Sequence, residues 1–201
     1  MSHVPQNVTH RNRHNFAALR IANEHQIIAG SSSDDVTAER VEERLHHLAE
    51  TDALTGLANF RRFSETVELE IKRSERTARA FAVLIFDLNG MKRINDRHGH
   101  SAGNCALCRL ADIFRSSCRL NDTVARYGGD EFVILLPETD GKEADAVVRR
   151  ICERLSNDRE EPKLSMSVGI AVYPEDGTAN ETLFQTANRA LYKVKHPKKT
   201  F

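Results

Sequence analysis

The stretch that most constrains the fold runs from Asp122 to Pro137, where two β-prone segments flank a Gly-Gly-Asp turn. The adjacent glycines supply the positive φ angles that a tight hairpin needs. The second segment, residues 131–136, is apolar on both faces, which is typical of a central, buried strand rather than a solvated edge. The sequence therefore predicts a hairpin at the heart of a sheet.

Two carboxylates, Asp130 and Glu131, stand at the tip of this hairpin. The plain alternative is a structural turn in which Asp130 only tolerates a left-handed conformation. A second two-sided apolar run, residues 80–86, ends in Asp87. If the two strands are neighbours, Asp87 and Asp130 converge and offer hard oxygen ligands to Mg²⁺ or Mn²⁺, with further ligands from substrate phosphates. Spacing alone leaves that adjacency open.

The rest of this region alternates between helical and strand patterns. Apolar residues at helical spacing predict helices, and an apolar or alternating run predicts one more strand at residues 163–173. Together with the hairpin they predict an α+β fold with a central sheet flanked by helices, and not a doubly wound parallel sheet. The predicted helices cover residues 60–77, 91–96, 102–118, 142–155 and 181–195.

The N-terminal part divides into two pieces. Residues 1–33 form an extension that ends in a Ser-rich linker, and residues 34–50 predict a helical stalk. Apolar residues recur there at spacings typical of a coiled-coil seam, which favours a dimerising stalk. A helix packed on its own domain is the alternative. Residues 51–201 then form the main domain.

Charge and hydropathy limit the expected partners and location. The chain has 29 basic and 29 acidic residues, so no overall field favours nucleic acid or a membrane surface. No apolar run approaches the roughly 20 residues of a spanning helix, and the polar N-terminus lacks a secretory signal. We therefore expect a soluble, cytoplasmic protein that binds neither nucleic acid nor membrane, with its four cysteines reduced.

Cys105 and Cys108 form a CxxC pair, with His98 and His100 just upstream. This is half of a zinc-binding pattern. The apolar residues around the pair, residues 106, 107 and 110, instead indicate one face of a helix, which is the interpretation that we favour.

The pentapeptide Gly128–Phe132 is the signature of the GGDEF family, the diguanylate cyclases. Three further stretches resemble motifs of that family in the same order, at residues 52–59, 87–100 and 190–195. The chain is therefore identified from its sequence as a member of this family. The resemblance implies a largely antiparallel sheet like the palm of nucleotidyl cyclases and polymerases.

The resemblance also implies a reaction. Two GTP molecules condense into cyclic di-GMP with release of pyrophosphate, across a homodimer and with Mg²⁺ (or Mn²⁺). Asp87, the backbone carbonyl of Leu88 and Asp130 match the metal ligands of the family. The implied catalytic residues are Asp130, Glu131 and the phosphate-binding Lys92.

Further positions match the substrate-binding residues of the family. They are, in chain order, Asn95, His100 and Asn104 for guanine, Gly128 and Gly129 in the signature turn, and Lys195 and Lys199 for the triphosphate. Two positions depart from the family pattern, because Asn89 and Asn104 stand where Asp is common. The first removes a negative charge near the metal, and the second bears on base identity.

Arg119 and Asp122 match an RxxD motif that implies product inhibition by cyclic di-GMP. The alternative is a solvated helix end. Two other functions stay open beside an active diguanylate cyclase. One is a catalytically weak domain that binds GTP or cyclic di-GMP and signals through partners, and the other is a cyclase of relaxed base choice.

Overall fold

The computed structural model describes residues 50–196, so the predicted extension (1–33) and all but the last residue of the predicted stalk (34–50) lie outside the described part. The described elements alternate as predicted. They are β1 (Ala58–Asn59), α1 (Phe60–Thr77), β2 (Phe81–Leu88), α2 (Met91–His98), α3 (His100–Ser117), β3 (Thr123–Gly128), β4 (Glu131–Leu136), α4 (Gly141–Ser156), β5 (Met166–Tyr173) and α5 (Asn180–Lys195).

The sheet has five strands in the order β1-β3-β4-β2-β5. In the described part β1 pairs with β3 in parallel, and the other neighbours are antiparallel. The predicted α+β class with a mostly antiparallel sheet is confirmed, and β4 is central as its apolar sequence indicated. The two-residue strand β1 was not predicted, because so short a segment carries no periodicity.

The two-sided apolar character of β2 follows from its place between two helical layers. Successive side chains of a strand point to opposite faces. Phe81, Val83 and Ile85 belong to a core cluster with α1 and α5, whereas Leu84 and Phe86 belong to a second cluster with α3 and α4. Both faces of the strand are therefore buried, which explains a continuous apolar run rather than an alternating one.

The helices α2 and α3 are longer than predicted. Only Gly99, with φ of 81°, separates them. The predicted break of several residues is therefore wrong, because one left-handed glycine is enough to redirect the chain. Among residues 50–196 the structure has no helix with the length and apolarity that crossing a membrane requires.

Arg109 of α3 anchors the loop before β5. The Arg109 side chain, only 15% exposed, forms an ion pair with Asp158. It also donates hydrogen bonds of 3.1 Å to the carbonyl oxygens of Glu160 and Pro162. The loop continues to Ser165, whose carbonyl oxygen accepts the backbone N–H of Asn89 at 2.8 Å. Arg109 thus fixes the loop that supports the chain just after β2.

We expect Arg109→Met to lower the free energy of unfolding by about 1–3 kcal/mol, because it leaves a carboxylate and two carbonyl groups without their donor. Arg61→Met is the matched control, since the Arg61 side chain is 74% exposed in its pair with Glu65 and should cost at most about 0.5 kcal/mol. Urea denaturation of both variants measures the difference. Equal losses would contradict the role of Arg109.

Candidate functional site

The hairpin between β3 and β4 presents the signature turn. Gly129 has φ of 53°, in the left-handed region, and Gly128 has φ of 158°. Asp130 is not among the described non-glycine residues with positive φ. The interpretation in which Asp130 itself takes up the left-handed conformation is therefore wrong, because Gly129 does so.

The two strands that end in acidic residues are neighbours, which is the condition that the sequence set for bringing those residues together. β2 and β4 are antiparallel neighbours, and Asp87 lies directly opposite Glu131 in their ladder. The backbone N–H of Leu88 donates a hydrogen bond of 3.0 Å to the carbonyl oxygen of Asp130. Asp87 is only 7% exposed. The end of β2 and the turn that carries Asp130 are therefore held against each other by the backbone.

This strand end concentrates negative charge. Burial raises the pKa of Glu131, and the charges of Asp87 and Asp130 raise it further, while Lys195 opposes them. The ammonium of Lys195 lies 2.5 Å from a carboxylate oxygen of Asp87. The family resemblance implied that Lys195 binds the triphosphate of the substrate. In the structure its ammonium forms an ion pair with Asp87 instead.

The donor set fits a hard divalent cation that is shared with a substrate. Within residues 50–196 no group of three or more His, Cys, Asp or Glu side chains could hold a metal ion by itself. Asp87, Asp130 and the Leu88 carbonyl would supply oxygen ligands and leave positions for water and phosphate, as Mg²⁺ prefers. The local excess of carboxylates, which a lysine partly offsets, is the observation that supports this fit.

A groove of about 390 Å³ lies beside this acidic turn. Six of the site residues that were predicted from the sequence line this groove, because α2, α3 and the turn meet there. They are Lys92, Asn95, His100, Asn104, Gly129 and Asp130. Met91, Leu107 and Arg126 also line this groove, which we call the acidic-turn groove, and the sequence had not nominated them.

Arg126 is the most informative of these missed residues. Its Nε and Nη2 donate hydrogen bonds of 3.1 and 2.6 Å to the Gly129 carbonyl oxygen, and its Nη1 lies 3.2 Å from Asp52. Asp52 in turn accepts hydrogen bonds from the backbone N–H and the hydroxyl of Thr55. Asp52 begins the first motif of the sequence, so this ion pair connects that motif to the peptide just before Asp130.

Asn89, the first departure from the family pattern, has a local partner. Its Oδ1 accepts a hydrogen bond of 3.0 Å from the hydroxyl of Ser167 on β5. Asn89 therefore helps to hold the turn after β2 to the neighbouring strand without adding a negative charge.

Arg119 and Asp122 lie in a different groove, of about 430 Å³, which Arg115, Cys118 and Leu57 also line. A carboxylate oxygen of Asp122 accepts the backbone N–H of Arg119 at 2.7 Å. Burial raises the pKa of Asp122. Lys199, the second residue nominated for the triphosphate, lies outside the described residues.

The cysteine pair lies on α3. Residues 106, 107 and 110 are buried, which confirms the helical interpretation of this segment. The Cys108 thiol donates a hydrogen bond of 3.4 Å to the Leu54 carbonyl oxygen, and burial raises its pKa. Cys105 is exposed.

Comparisons with known proteins agree with the motifs. A family model described as diguanylate cyclase, GGDEF domain, matches residues 49–200. Over 160 residues the chain is 38% identical to the bifunctional diguanylate cyclase/cyclic di-GMP phosphodiesterase MucR of Pseudomonas aeruginosa, a match that covers 78% of this chain and 23% of MucR. Over 167 residues it is 36% identical to the diguanylate cyclase DgcM of Escherichia coli, which covers 81% of this chain and 40% of DgcM. The chain thus spans less than half the length of these relatives.

The fold also matches a solved structure. The GGDEF domain of the Pseudomonas aeruginosa protein TpbB, or YfiN, aligns with a TM-score of 0.69 and 34% identity, over 73% of this chain and 88% of that one.

The Asp52–Arg126 pair predicts a pH-dependent loss of stability. Burial would raise the pKa of Asp52, but hydrogen bonds from Thr55 and the charge of Arg126 outweigh it and lower the pKa. A carboxyl group with a lowered folded-state pKa stabilises the fold above its unfolded pKa, about 3.9, and loses that contribution as the pH falls. We therefore expect Asp52→Asn to cost about 1–3 kcal/mol at pH 7 and progressively less below about pH 4.

The control is Asp112→Asn, because the Asp112 side chain is 75% exposed in its pair with Arg115. Its effect should be small at every pH. Urea denaturation between pH 7 and pH 3 measures both variants. A cost of Asp52→Asn that did not change with pH would contradict the assignment.

Proposed function

The chain belongs to the GGDEF family, and we propose that it is a diguanylate cyclase that condenses two GTP molecules into cyclic di-GMP and releases pyrophosphate. The observation that carries the proposal is the β2–β4 contact. It holds Asp87, Glu131 and the Asp130 turn together, beside a groove whose other polar residues can bind a nucleotide.

The acidic-turn groove would hold the guanine base between α2 and α3. Asn95, His100 and Asn104 supply hydrogen-bonding groups there, and Met91 and Leu107 supply apolar contact for the ring. Lys92 is the second residue of α2. Its compact ammonium charge would bind the phosphates of the nucleotide. Lys195, with Lys199, would provide further positive charge for the triphosphate.

Asp87, Asp130 and the carbonyl of Leu88 would hold Mg²⁺ or Mn²⁺. When bound, such a cation polarises the phosphate and lowers the pKa of the attacking hydroxyl. The chain's own contribution is position. The Leu88–Asp130 hydrogen bond and the Arg126 contacts to Gly129 fix the acidic turn before any substrate arrives.

In the proposed reaction a ribose 3′-oxygen attacks the α-phosphorus of the other nucleotide, in line with the bond to the β-phosphate, which breaks. Asp130 or its neighbour Glu131 would accept the hydroxyl proton, and pyrophosphate leaves with the bonding electron pair. Lys92 would offset the charge that develops on pyrophosphate. Phosphoryl transfer depends chiefly on such positioning and charge stabilisation.

The described part of the chain contains one acidic-turn groove, whereas the reaction joins two nucleotides. We therefore propose a homodimer in which two such grooves face each other, with the stalk (34–50) as the dimerising segment and residues 51–201 as the catalytic domain. Arg119 and Asp122 would bind cyclic di-GMP as a feedback ligand, because an arginine can stack on guanine and donate to its edge.

Incubation with GTP and Mg²⁺, with identification of the product by mass, tests the proposed function. We expect cyclic di-GMP from the wild type and a loss of at least about a hundredfold in rate for Asp130→Asn, because the variant lacks a proton acceptor and a metal ligand. Asp130→Asn should unfold at the same urea concentration as the wild type, since Gly129 rather than Asp130 takes up the left-handed turn. Full activity in a folded Asp130→Asn protein would overturn the mechanism.

A second prediction concerns Asn104 and the base of the nucleotide that the protein binds. A carboxylate accepts both the N1–H and N2–H₂ groups of guanine, whereas an amide offers one acceptor and one donor group. We expect Asn104→Asp to bind GTP about ten- to a hundredfold more tightly, and so to lower its KM, if the amide leaves one donor unsatisfied. The measurement compares GTP, ATP and an equal mixture in both proteins. No gain in GTP affinity or in discrimination against ATP would show that Asn104 does not read the base.

A further inference from the structure

Cys105 and Cys108, the CxxC pair of the sequence, lie three residues apart on α3 and have no part in the proposed function. Residues at this spacing share one face of a helix, and their Cα atoms are about 5 Å apart, within the range that a disulfide spans. Cys105 is exposed, whereas Cys108 is partly buried. Burial, and then the neighbouring Cys105 thiol, raise the pKa of Cys108, as expected for two thiols that lie close together.

The Cys108 thiol lies where α3 contacts the first motif (residues 52–59). It donates a hydrogen bond of 3.4 Å to the Leu54 carbonyl oxygen. The charges of Arg126 and Asp52 are also close enough to this thiol to affect its pKa. Arg126 in turn donates to the Gly129 carbonyl oxygen at 2.6 Å. A change at Cys108 therefore acts on the segment that positions the acidic turn.

We propose that Cys105 and Cys108 form a redox-sensitive dithiol, whose oxidation to a disulfide loosens the first motif and slows the proposed cyclase. The effect on the rate rests on the proposed function, whereas formation of the disulfide does not. Both thiols are expected to be reduced at rest, so the pair would respond to an oxidant rather than hold the fold together.

The oxidant is a low-molecular-weight disulfide. Cys105 reacts first, because it is exposed to solvent. Its sulfur attacks one sulfur of the oxidant, whose S–S bond breaks, and one thiolate leaves. The Cys108 sulfur then attacks the Cys105 sulfur and expels the second thiolate. Two electrons pass from the cysteines to the oxidant, and the two released thiolates take up the two protons.

The disulfide cannot form without a change in α3. Cβ atoms three residues apart on a helix are about 5–6 Å apart, whereas a disulfide needs about 4 Å. The turn between Cys105 and Cys108 must therefore tighten, and the Cys108 sulfur loses the hydrogen that it donates to Leu54. Strained or exposed disulfides are also the ones that are readily reduced again. The oxidation is therefore reversible, as a regulatory modification requires.

The test uses reduced wild type, Cys105→Ser and Cys152→Ser, each incubated with oxidised glutathione, after which the remaining thiols are blocked. Cys152 is exposed on α4, so Cys152→Ser removes an accessible thiol, keeps the pair and is the matched control. Cleavage after arginine releases residues 98–109, which contain both cysteines of the pair, as one peptide. We expect this peptide to lose the mass of two hydrogen atoms in the wild type and in Cys152→Ser, and to form no internal disulfide in Cys105→Ser.

Hydrogen–deuterium exchange then measures the order of the first motif. The amides of Thr55 and Gly56 donate hydrogen bonds to Asp52. We expect both to exchange about tenfold faster in the oxidised wild type, a change that corresponds to one hydrogen bond, and cyclic di-GMP formation to slow by about tenfold. The Ala144 amide, hydrogen-bonded at the start of α4, should not change. Reduction with dithiothreitol should restore the wild type, and treated Cys105→Ser should show neither effect.

Three outcomes would overturn the proposal. One is the absence of an internal disulfide in residues 98–109 of the treated wild type. Another is a disulfide that leaves the exchange of Thr55 and Gly56 unchanged, and the third is an equal effect of the oxidant on Cys105→Ser, which would assign it to another thiol. If the reduced wild type forms no cyclic di-GMP, the proposed function fails, whereas the disulfide and the exchange rates still decide whether the pair acts on the first motif.

Discussion

The antiparallel ladder between β2 and β4 is the contact on which the rest of the described structure depends. Both strands are apolar on both faces, so they are stable only between two helical layers. Their pairing sets Asp87 opposite Glu131 and binds the Leu88 N–H to the Asp130 carbonyl. Burial, and then the neighbouring charges of Asp87 and Asp130, raise the pKa of Glu131. The pairing of two buried core strands therefore holds these carboxylates in a place that disfavours their charged forms.

The features that could be predicted from the sequence are those that depend on a few neighbouring residues. The apolar runs of β2 and β4, the helical spacing of α1, α4 and α5, and the Gly-Gly turn each report on a few neighbouring residues, and the structure confirms all of them. The adjacency of β2 and β4 was conditional in the sequence, because a strand's periodicity states which faces are buried but not which strand lies beside it.

The features that the sequence did not predict are contacts between residues that lie far apart in the chain. Arg126 and Asp52 are 74 residues apart in the chain, and nothing in either segment indicates the other. Gly103 of α3 lies against the side chain of Asn95 on α2, where a Cβ atom would lie 2.1 Å from the Asn95 Oδ1, so the need for glycine could not be read from α3 alone. Lys195 was nominated for a phosphate because of its motif, whereas its partner Asp87 becomes visible only when α5 packs against the sheet.

The Lys195–Asp87 pair bears on how a metal and a nucleotide would enter the proposed site. Both a divalent cation and the ammonium are attracted to the same carboxylate, and that carboxylate is nearly buried. A cation that bound alone would compete with Lys195 for the Asp87 carboxylate and would weaken the ion pair, which carries a cost where both groups are partly desolvated. A triphosphate that arrives with the cation offers the lysine new oxygen partners as it leaves Asp87. In the proposed site, this ion pair would therefore favour joint binding of metal and nucleotide over binding of the metal alone.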